Sequence, residues 1–156
     1  MITTYLFDWG DTLMVDFPNS VGKMCNWGHV ETVPGAYEAL AALSKEAQLY
    51  IATGASDSSE QEIKAAFQRA DISQFITGYF CKESLGITKD SPDFFKTIIT
   101  QLGISPSQVV MVGDSYEKDI KPALAVGITS IWLSADTSPP SGVNVIRSLH
   151  ELCARK

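Results

Sequence analysis

An α/β fold is what this sequence predicts, with a mainly parallel five-stranded sheet and helices on both of its faces. Three observations carry the prediction. Short apolar runs alternate with segments whose apolar residues recur at helical spacing, the pattern of successive strand–helix–strand units. Val109 to Val112 is apolar throughout, as a strand covered on both faces should be. Asp8, Thr53 and Asp114 each fall just after an apolar run, and open parallel sheets bind ligands at the carboxyl ends of their strands.

The elements follow in chain order. Thr4 to Phe7 is a short strand that carries Asp8 at its end. Residues Ala36 to Ala47 place Ala36, Leu40, Leu43 and Ala47 on one helical face. Gln48 to Ala52 is the second strand. Ser59 and Glu62 have capping-box spacing, and Ile63, Ala66, Phe67 and Ala70 continue as a helical stripe. Phe75 to Phe80 contains the third strand. Ser91-Pro92 is an N-cap with proline at the first helical position; Phe95, Ile98, Ile99 and Leu102 extend that helix and Gly103 stops it. After the strand at Val109 to Val112, Asp119 to Val126 is a helix closed by Gly127, in which Pro122 is tolerable only in the first turn. Ile128 to Leu133 is the fifth strand, Ser134 to Gly142 a loop, and Ile146 to Ala154 a final helix. Neither repeats nor low-complexity tracts interrupt the pattern.

Composition bounds the function. A chain of 156 residues is one domain by length, 1–156, and can bury its own core. Apolar residues make up 45% and charged residues 19%, ordinary for a globular chain. Twelve basic against eighteen acidic residues give a net charge of −6, which excludes a nucleic-acid footprint and disfavours docking on an anionic membrane. Cys25, Cys81 and Cys153 are odd in number and widely spaced, a pattern of reduced thiols rather than of a disulfide framework or a zinc site. The N-terminus has no basic segment followed by a long apolar one, so no signal peptide is expected, and no apolar stretch approaches membrane-spanning length. The expected location is cytoplasmic.

Four segments carry chemistry: Phe7-Asp8-Trp9-Gly10-Asp11-Thr12-Leu13, Ile51-Ala52-Thr53-Gly54, Lys89-Asp90-Ser91-Pro92 and Val112-Gly113-Asp114-Ser115-Tyr116-Glu117-Lys118-Asp119. Together they offer a carboxylate nucleophile, a small hydroxyl, a cation and an acidic pair. A carboxylate can attack phosphorus to form an aspartyl-phosphate and so divide one hard displacement into two. Carboxylate and phosphoryl group repel, by about 4 kcal/mol per unit-charge pair at ~4 Å and an effective dielectric of ~20. A bridging Mg²⁺ offsets that repulsion, and hard oxygens such as those of Asp8 and Asp114 suit it. Lys89 adds positive charge over the phosphoryl oxygens. Thr53 and nearby backbone N–H groups can hydrogen-bond them.

In order and spacing these segments resemble the four motifs of the haloacid dehalogenase (HAD) superfamily, mostly Mg²⁺-dependent phosphatases, over nearly the whole chain. The resemblance implies a three-layer, Rossmann-like HAD fold. It makes Asp8 the nucleophile, Thr53 the phosphoryl-binding hydroxyl and Lys89 the motif lysine, with Asp90 in place of a proline. Asp114 and Asp119 match the acidic metal motif, and the backbone carbonyl of Gly10 is the implied third oxygen for Mg²⁺. The family's second aspartate belongs at position 10, where this chain has glycine. Large cap domains are common in the family. Here only Met14 to Val33 and Cys81 to Thr88 fill the two places for one, and neither can form a domain. A short flap at 14–33, an open site or one closed by a partner chain, and an oligomer thus stay open.

The expected function is Mg²⁺-dependent hydrolysis of a phosphate monoester or acyl phosphate, on a small molecule or a macromolecule that reaches an open site. Without an acid at position 10 the reaction should be slow and favour activated leaving groups. Two alternatives stand beside it: a catalytically impaired phosphate- and metal-binding protein, and a hydrolase acting at carbon. Other residues have plainer readings. Thr53 also reads as a strand end before the Gly54 turn, Lys89 as a solvated lysine, and Asp119 as a helix N-terminal acid. Asp11 reads as a turn residue, since one step along an extended chain reverses side-chain direction. Cys25 and His29 fall short of a metal site, and His150 reads as a surface residue. Trp9, Phe17 and Trp27 read as packing a flap onto the core rather than as a rim beside the site.

Overall fold

The computed structural model of the chain describes residues 1–55, 57–135, 140 and 142–154. Six strands form one sheet: β1 (Thr4–Phe7), β2 (Gln48–Ala52), β3 (Gly78–Phe80), β4 (Val109–Gly113), β5 (Thr129–Leu133) and β6 (Asn144–Ile146). Their order is β3-β2-β1-β4-β5-β6 and every neighbouring pair is parallel. The chain runs outward from β1 to β2 and β3, then crosses back to β4 on the other side of β1. The strand order therefore reverses between β1 and β4, where a parallel sheet opens a crevice at its carboxyl edge. Phe7 lies level with Val112 of β4 and with Ile51 of β2, so the residues after those strands emerge side by side.

Side-chain alternation builds the two covering layers. Phe7, Leu49, Ile51, Val110 and Val112 face one core with α1 (Ala36–Leu43), α2 (Glu60–Arg69) and the 3₁₀ turns Leu149–Ala154. Leu6, Val109 and Met111 face a second core, with Phe94, Phe95 and Ile98 of α4 (Pro92–Leu102) and Ala123 of α5 (Lys121–Ala125). The short α3 (Lys82–Leu85) precedes α4. Helix ends obey their local signals. Ser59 Oγ accepts from Glu62 N–H at 3.2 Å while Glu62 Oε1 accepts from Ser59 N–H at 2.8 Å. Ser91 Oγ caps α4, and Gly103 ends it in the left-handed conformation, φ +66°.

Three expectations change. The sheet has six strands, not five, because Asn144–Ile146 adds to the open edge of β5. The helix expected over Ile146 to Ala154 is accordingly a strand end followed by 3₁₀ turns. Ile146, Leu149 and Leu152 are all buried, but their three-residue spacing is also that of a 3₁₀ helix. Much of the loop expected at Ser134 to Gly142 lies outside the described residues. The helix expected over Asp119 to Val126 is a π-helical turn, Tyr116–Ile120, running into α5. That break puts Pro122 in the first turn of α5, where its missing N–H costs nothing.

Residues 14–33 fold back over the sheet's carboxyl edge. Met14 bridges Gly10 in parallel and Thr32 antiparallel, and Val15 N–H donates to the Glu31 carbonyl at 2.8 Å. The flap is tied to α2 by a Lys23–Glu62 ion pair at 2.7 Å and by Arg69, which donates to the Cys25 and Trp27 carbonyls. Phe17 packs between Trp27 and His29, and buried Trp9 leans on Phe67 of α2. The aromatic residues thus pack the flap, as the sequence reading had it, although Trp9 and Trp27 also line the cleft beneath.

Candidate active site

The loops after β1, β2 and β4, with the segment before α4, enclose a cleft of about 800 Å³. Asp8, Gly10, Thr53, Lys89, Asp114 and Asp119, predicted from four separate segments, all line it.

Asp8 leaves β1 with its N–H bonded to the Val112 carbonyl at 3.0 Å, which pins the residue against β4. Its Oδ1 accepts from Lys89 Nζ at 2.5 Å and its Oδ2 from Thr12 Oγ1 at 3.2 Å. Lys89 is 3% exposed. Its ammonium also pairs with Asp119 Oδ1 at 2.6 Å and donates to the Ala52 carbonyl at 3.0 Å. This lysine is therefore buried and paired, not a solvated surface residue. Asp119 is fully buried, and its Oδ2 accepts from Ser115 N–H at 3.1 Å. The wide turn at Tyr116–Ile120 directs the carboxylate back under β4, so close that a Cβ at position 113 would collide with the Asp119 carboxyl group. Gly113 is the only residue type that fits there.

Asp114 is half-exposed. Its Oδ1 accepts from Thr12 Oγ1 at 3.1 Å, and its backbone carbonyl accepts from Trp132 Nε1 at 3.0 Å. Asp8, Asp114 and Asp119 each offer an oxygen within 4.8 Å of the others. Thr53, nearly buried, uses its Oγ1 to accept from Ala55 N–H at 3.1 Å, the strand-end turn that was its plainer reading, while still facing the cleft. Asp11 adopts a left-handed turn, φ +59°, and its carboxylate accepts from Asp16 N–H at 3.0 Å. The sequence reading missed two residues. Thr12 joins Asp8 to Asp114, and its only sequence signal was its place in the first motif. Asp16 enters the cleft from the flap, which no local pattern announces.

Electrostatics follow from this packing. Burial opposes ionisation of Asp8, but the Lys89 charge and hydrogen bonds from Asp114, Lys89 and the Trp9 backbone outweigh it and hold the carboxyl below its ordinary range. Burial likewise opposes the Lys89 charge, and Asp8 and Asp119 more than restore it. Asp114 is pushed up to about 7 by burial and by Asp8, and Asp119 to about 6 by burial and by Asp8 despite Lys89. Burial, with Asp11, Asp57 and Asp8 nearby, also raises Asp16. The cluster holds three carboxylates and one ammonium, which pairs with Asp8 and Asp119, so when fully ionised it carries two uncompensated negative charges.

That imbalance has a measurable consequence. Asp114 and Asp119 bind protons in the folded chain up to about 7 and about 6, whereas the unfolded chain titrates near 3.8. Between those limits the folded state holds more protons, so stability falls as pH rises. Asp8 works in the opposite sense, but in a window below its ordinary 3.8. Cation-free protein should thus melt higher at about pH 5 than at about pH 7.5, and Asp114→Asn should narrow the gap. Thermal melts in chelator at both pH values check this; a gap of the opposite sign would contradict it.

Residues 14–127 match the haloacid dehalogenase-like hydrolase family. The chain belongs to that family. Relatives of this HAD-like hydrolase include pyrimidine 5'-nucleotidase YjjG of Escherichia coli, 27% identical over 92% of this chain and 66% of that protein. Glyceraldehyde 3-phosphate phosphatase of Pyrococcus furiosus is 27% identical over 67% of this chain and 42% of that one. N-acylneuraminate-9-phosphatase of the rat is 30% identical over 74% and 48%. The chain thus spans just under two thirds of the first relative and less than half of the other two. A crystal structure of an uncharacterized Listeria monocytogenes protein superposes with a TM-score of 0.83 at 22% identity, covering 96% of this chain and 94% of that one. The magnesium-bound putative HAD-hydrolase YfnB of Bacillus subtilis gives 0.76 at 16%, covering 97% and 96%. At such identities these two likenesses show the fold. Among the described residues no helix is long and apolar enough to cross a membrane.

Proposed function

We propose that this hydrolase is a Mg²⁺-dependent phosphatase that works through an aspartyl-phosphate on Asp8, as a single 1–156 domain with the 14–33 flap as its whole cap. The observation that carries the reading is the convergence of Asp8, Asp114 and Asp119 around buried Lys89 at the sheet's switch point. The cluster fits a hard divalent cation: its carboxylates offer oxygen ligands, and burial together with their mutual negative charge raises Asp114 and Asp119. Asp8, Asp114 and the Gly10 carbonyl would hold Mg²⁺, with Asp119 positioned behind them, and the ion supplies positive charge against the repulsion between phosphoryl group and carboxylate.

The chain's own residues do the rest. Thr12 and Lys89 fix the two oxygens of Asp8, so an ionised nucleophile is held in one orientation. Lys89 provides charge beside the phosphoryl oxygens, and Thr53 with the turn after β2 provides neutral donors. The named relatives act on small phosphate monoesters, and a cleft of about 800 Å³ suits a small phosphorylated molecule.

A panel of alkyl, aryl and acyl phosphates, assayed with and without Mg²⁺, tests the reading; hydrolysis indifferent to Mg²⁺ would refute it. Asp114→Ala is expected to abolish measurable Mg²⁺ binding by calorimetry with the fold retained, and Asp119→Ala to weaken it less. Unchanged affinity in Asp114→Ala would remove Asp114 from the metal site.

A further inference from the structure

We propose that Asp16, carried on the flap, is the general acid and base of this site, in the place of the side chain that Gly10 lacks. The inference rests on the phosphatase reading above.

The geometry begins at Gly10. The three atoms nearest a Cβ built on this residue all belong to Asp16: its Cβ at 3.5 Å, its Oδ2 at 3.6 Å and its Cγ at 3.8 Å. A side chain at position 10 would therefore project toward the Asp16 carboxyl group. Asp16 reaches this place from six residues downstream because the chain turns back on itself. Asp11 N–H donates to the Met14 carbonyl at 2.6 Å, and Met14 N–H to the Trp9 carbonyl at 3.1 Å. Asp16 N–H donates to Asp11 Oδ1 at 3.0 Å, which fixes where the side chain leaves the backbone. Met14 and Val15 are in turn bridged to Thr32 and Glu31, so the segment is held from its far side too.

The other acids of the cleft are committed. Asp8 is the nucleophile, Asp114 and Asp119 belong to the buried cluster, and the Asp11 carboxylate is used by Asp16 N–H. Asp57 accepts from Ser58 Oγ at 3.3 Å, and Asp90 from Thr88 Oγ1 at 2.5 Å. Among the described residues no donor claims the Asp16 carboxyl group, which leaves it available to a substrate oxygen or a water. A proton-transfer group must reach the departing oxygen or the attacking water while leaving the nucleophile free, and Asp16 lines the same cleft as Asp8 without bonding to it.

An Asp8 oxygen bonds to phosphorus as the bond from phosphorus to the departing oxygen breaks. That oxygen keeps the electron pair and takes the proton of the Asp16 carboxyl. In the second step the Asp16 carboxylate takes a proton from water as the water oxygen bonds to phosphorus. The bond to Asp8 breaks, its electron pair returns to the carboxylate, and inorganic phosphate leaves.

The experiment compares wild type, Asp16→Asn, Asp57→Asn and the double variant Asp16→Asn with Gly10→Asp, as full chains with Mg²⁺, on one alkyl and several aryl phosphates. Asp16→Asn should lower alkyl phosphate turnover by about 10²–10⁴-fold. It should also steepen the dependence of rate on leaving-group pKa. With the best aryl leaving group it should retain a rapid first release of the phenol followed by a slow steady state, because only the second step then needs the base. A Cβ at position 10 lies at ordinary contact distance from the native side chain at 16, so a carboxylate restored there has room and should recover alkyl turnover at least ~10-fold. Asp57→Asn should leave the leaving-group dependence as in wild type. Asp16→Asn with wild-type steady-state rates on both ester classes would overturn the proposal, as would the same unchanged leaving-group dependence with a higher KM alone. If wild type hydrolyses no phosphate ester, the phosphatase reading itself fails; if wild type is active and Asp16→Asn equals it, only this assignment fails.

Discussion

Asp8→Asn is expected to lower phosphatase turnover by at least about 10⁴-fold, in line with the loss of a covalent nucleophile elsewhere. The substitution preserves shape and volume, so what it removes is chemistry. The native carboxyl is held ionised against its own burial by Lys89 and by hydrogen bonds, and in the proposed mechanism that ionised oxygen is the attacking group. An amide oxygen is a poor nucleophile and carries no charge toward a cation. Unfolding should not confuse the result. Lys89 keeps its contacts to Asp119 and the Ala52 carbonyl, and the cluster loses one of its negative charges. The amide oxygen of the new side chain can still accept from the ammonium. The measurement is steady-state hydrolysis of an aryl phosphate, with mass spectrometry of acid-quenched protein for a phosphoryl adduct in wild type and none in the variant. Wild-type turnover by a correctly folded Asp8→Asn would rule out Asp8 as the attacking group. If neither form turned over any ester, the protein would act instead by binding phosphate and metal.

The parts of this molecule legible in the sequence are those where local rules and global topology agree. The strands of the sheet's centre were legible because two-sided burial forces unbroken apolar runs, as in Val109 to Val112. The caps at Ser59 and Ser91 were legible because capping chemistry is local. Asp8, Lys89 and Asp114 could be placed together because each follows or precedes an element whose end the sequence marks. Where several structures share one period, the sequence was ambiguous. Ile146, Leu149 and Leu152 suit a strand end and 3₁₀ turns as well as a helix, and only the open edge of β5 decides between them. The burial of Asp119 was hidden too, since it depends on a π-helical turn that no composition announces. Asp16 was out of reach for a different reason: its neighbour is Gly10 through a fold of the flap, and a missing side chain leaves no pattern to read.

Lys89→Met should cost roughly 3–5 kcal/mol of stability at neutral pH, the range for removing one partner of a buried ion pair. Methionine fills most of the volume, so the loss is electrostatic. Lys89 is 3% exposed and is the only cation in contact with Asp8 and Asp119 among the described residues. Without it the fully buried Asp119 has the Ser115 N–H alone, and the Ala52 carbonyl loses a donor. For a chain of this size the expected drop in Tm is on the order of 10 °C. The sign of the pH dependence identifies the cause. Lys89 favours the ionised form of both Asp8 and Asp119, so its loss raises both acids. A raised carboxyl is protonated in the folded chain where the unfolded chain is ionised, and its burden disappears as pH falls. The variant should therefore regain stability relative to wild type as the pH is lowered from about 7.5 to about 5. A simple packing defect would show the same deficit at both pH values. Millimolar Mg²⁺ should narrow the difference at neutral pH, because a bound cation compensates the same carboxylates and stabilises only the folded chain. Equal melting temperatures for wild type and Lys89→Met in chelator at neutral pH would mean that the ammonium is not needed to compensate the buried acids, and the electrostatic frame drawn around Asp8 would have to be abandoned.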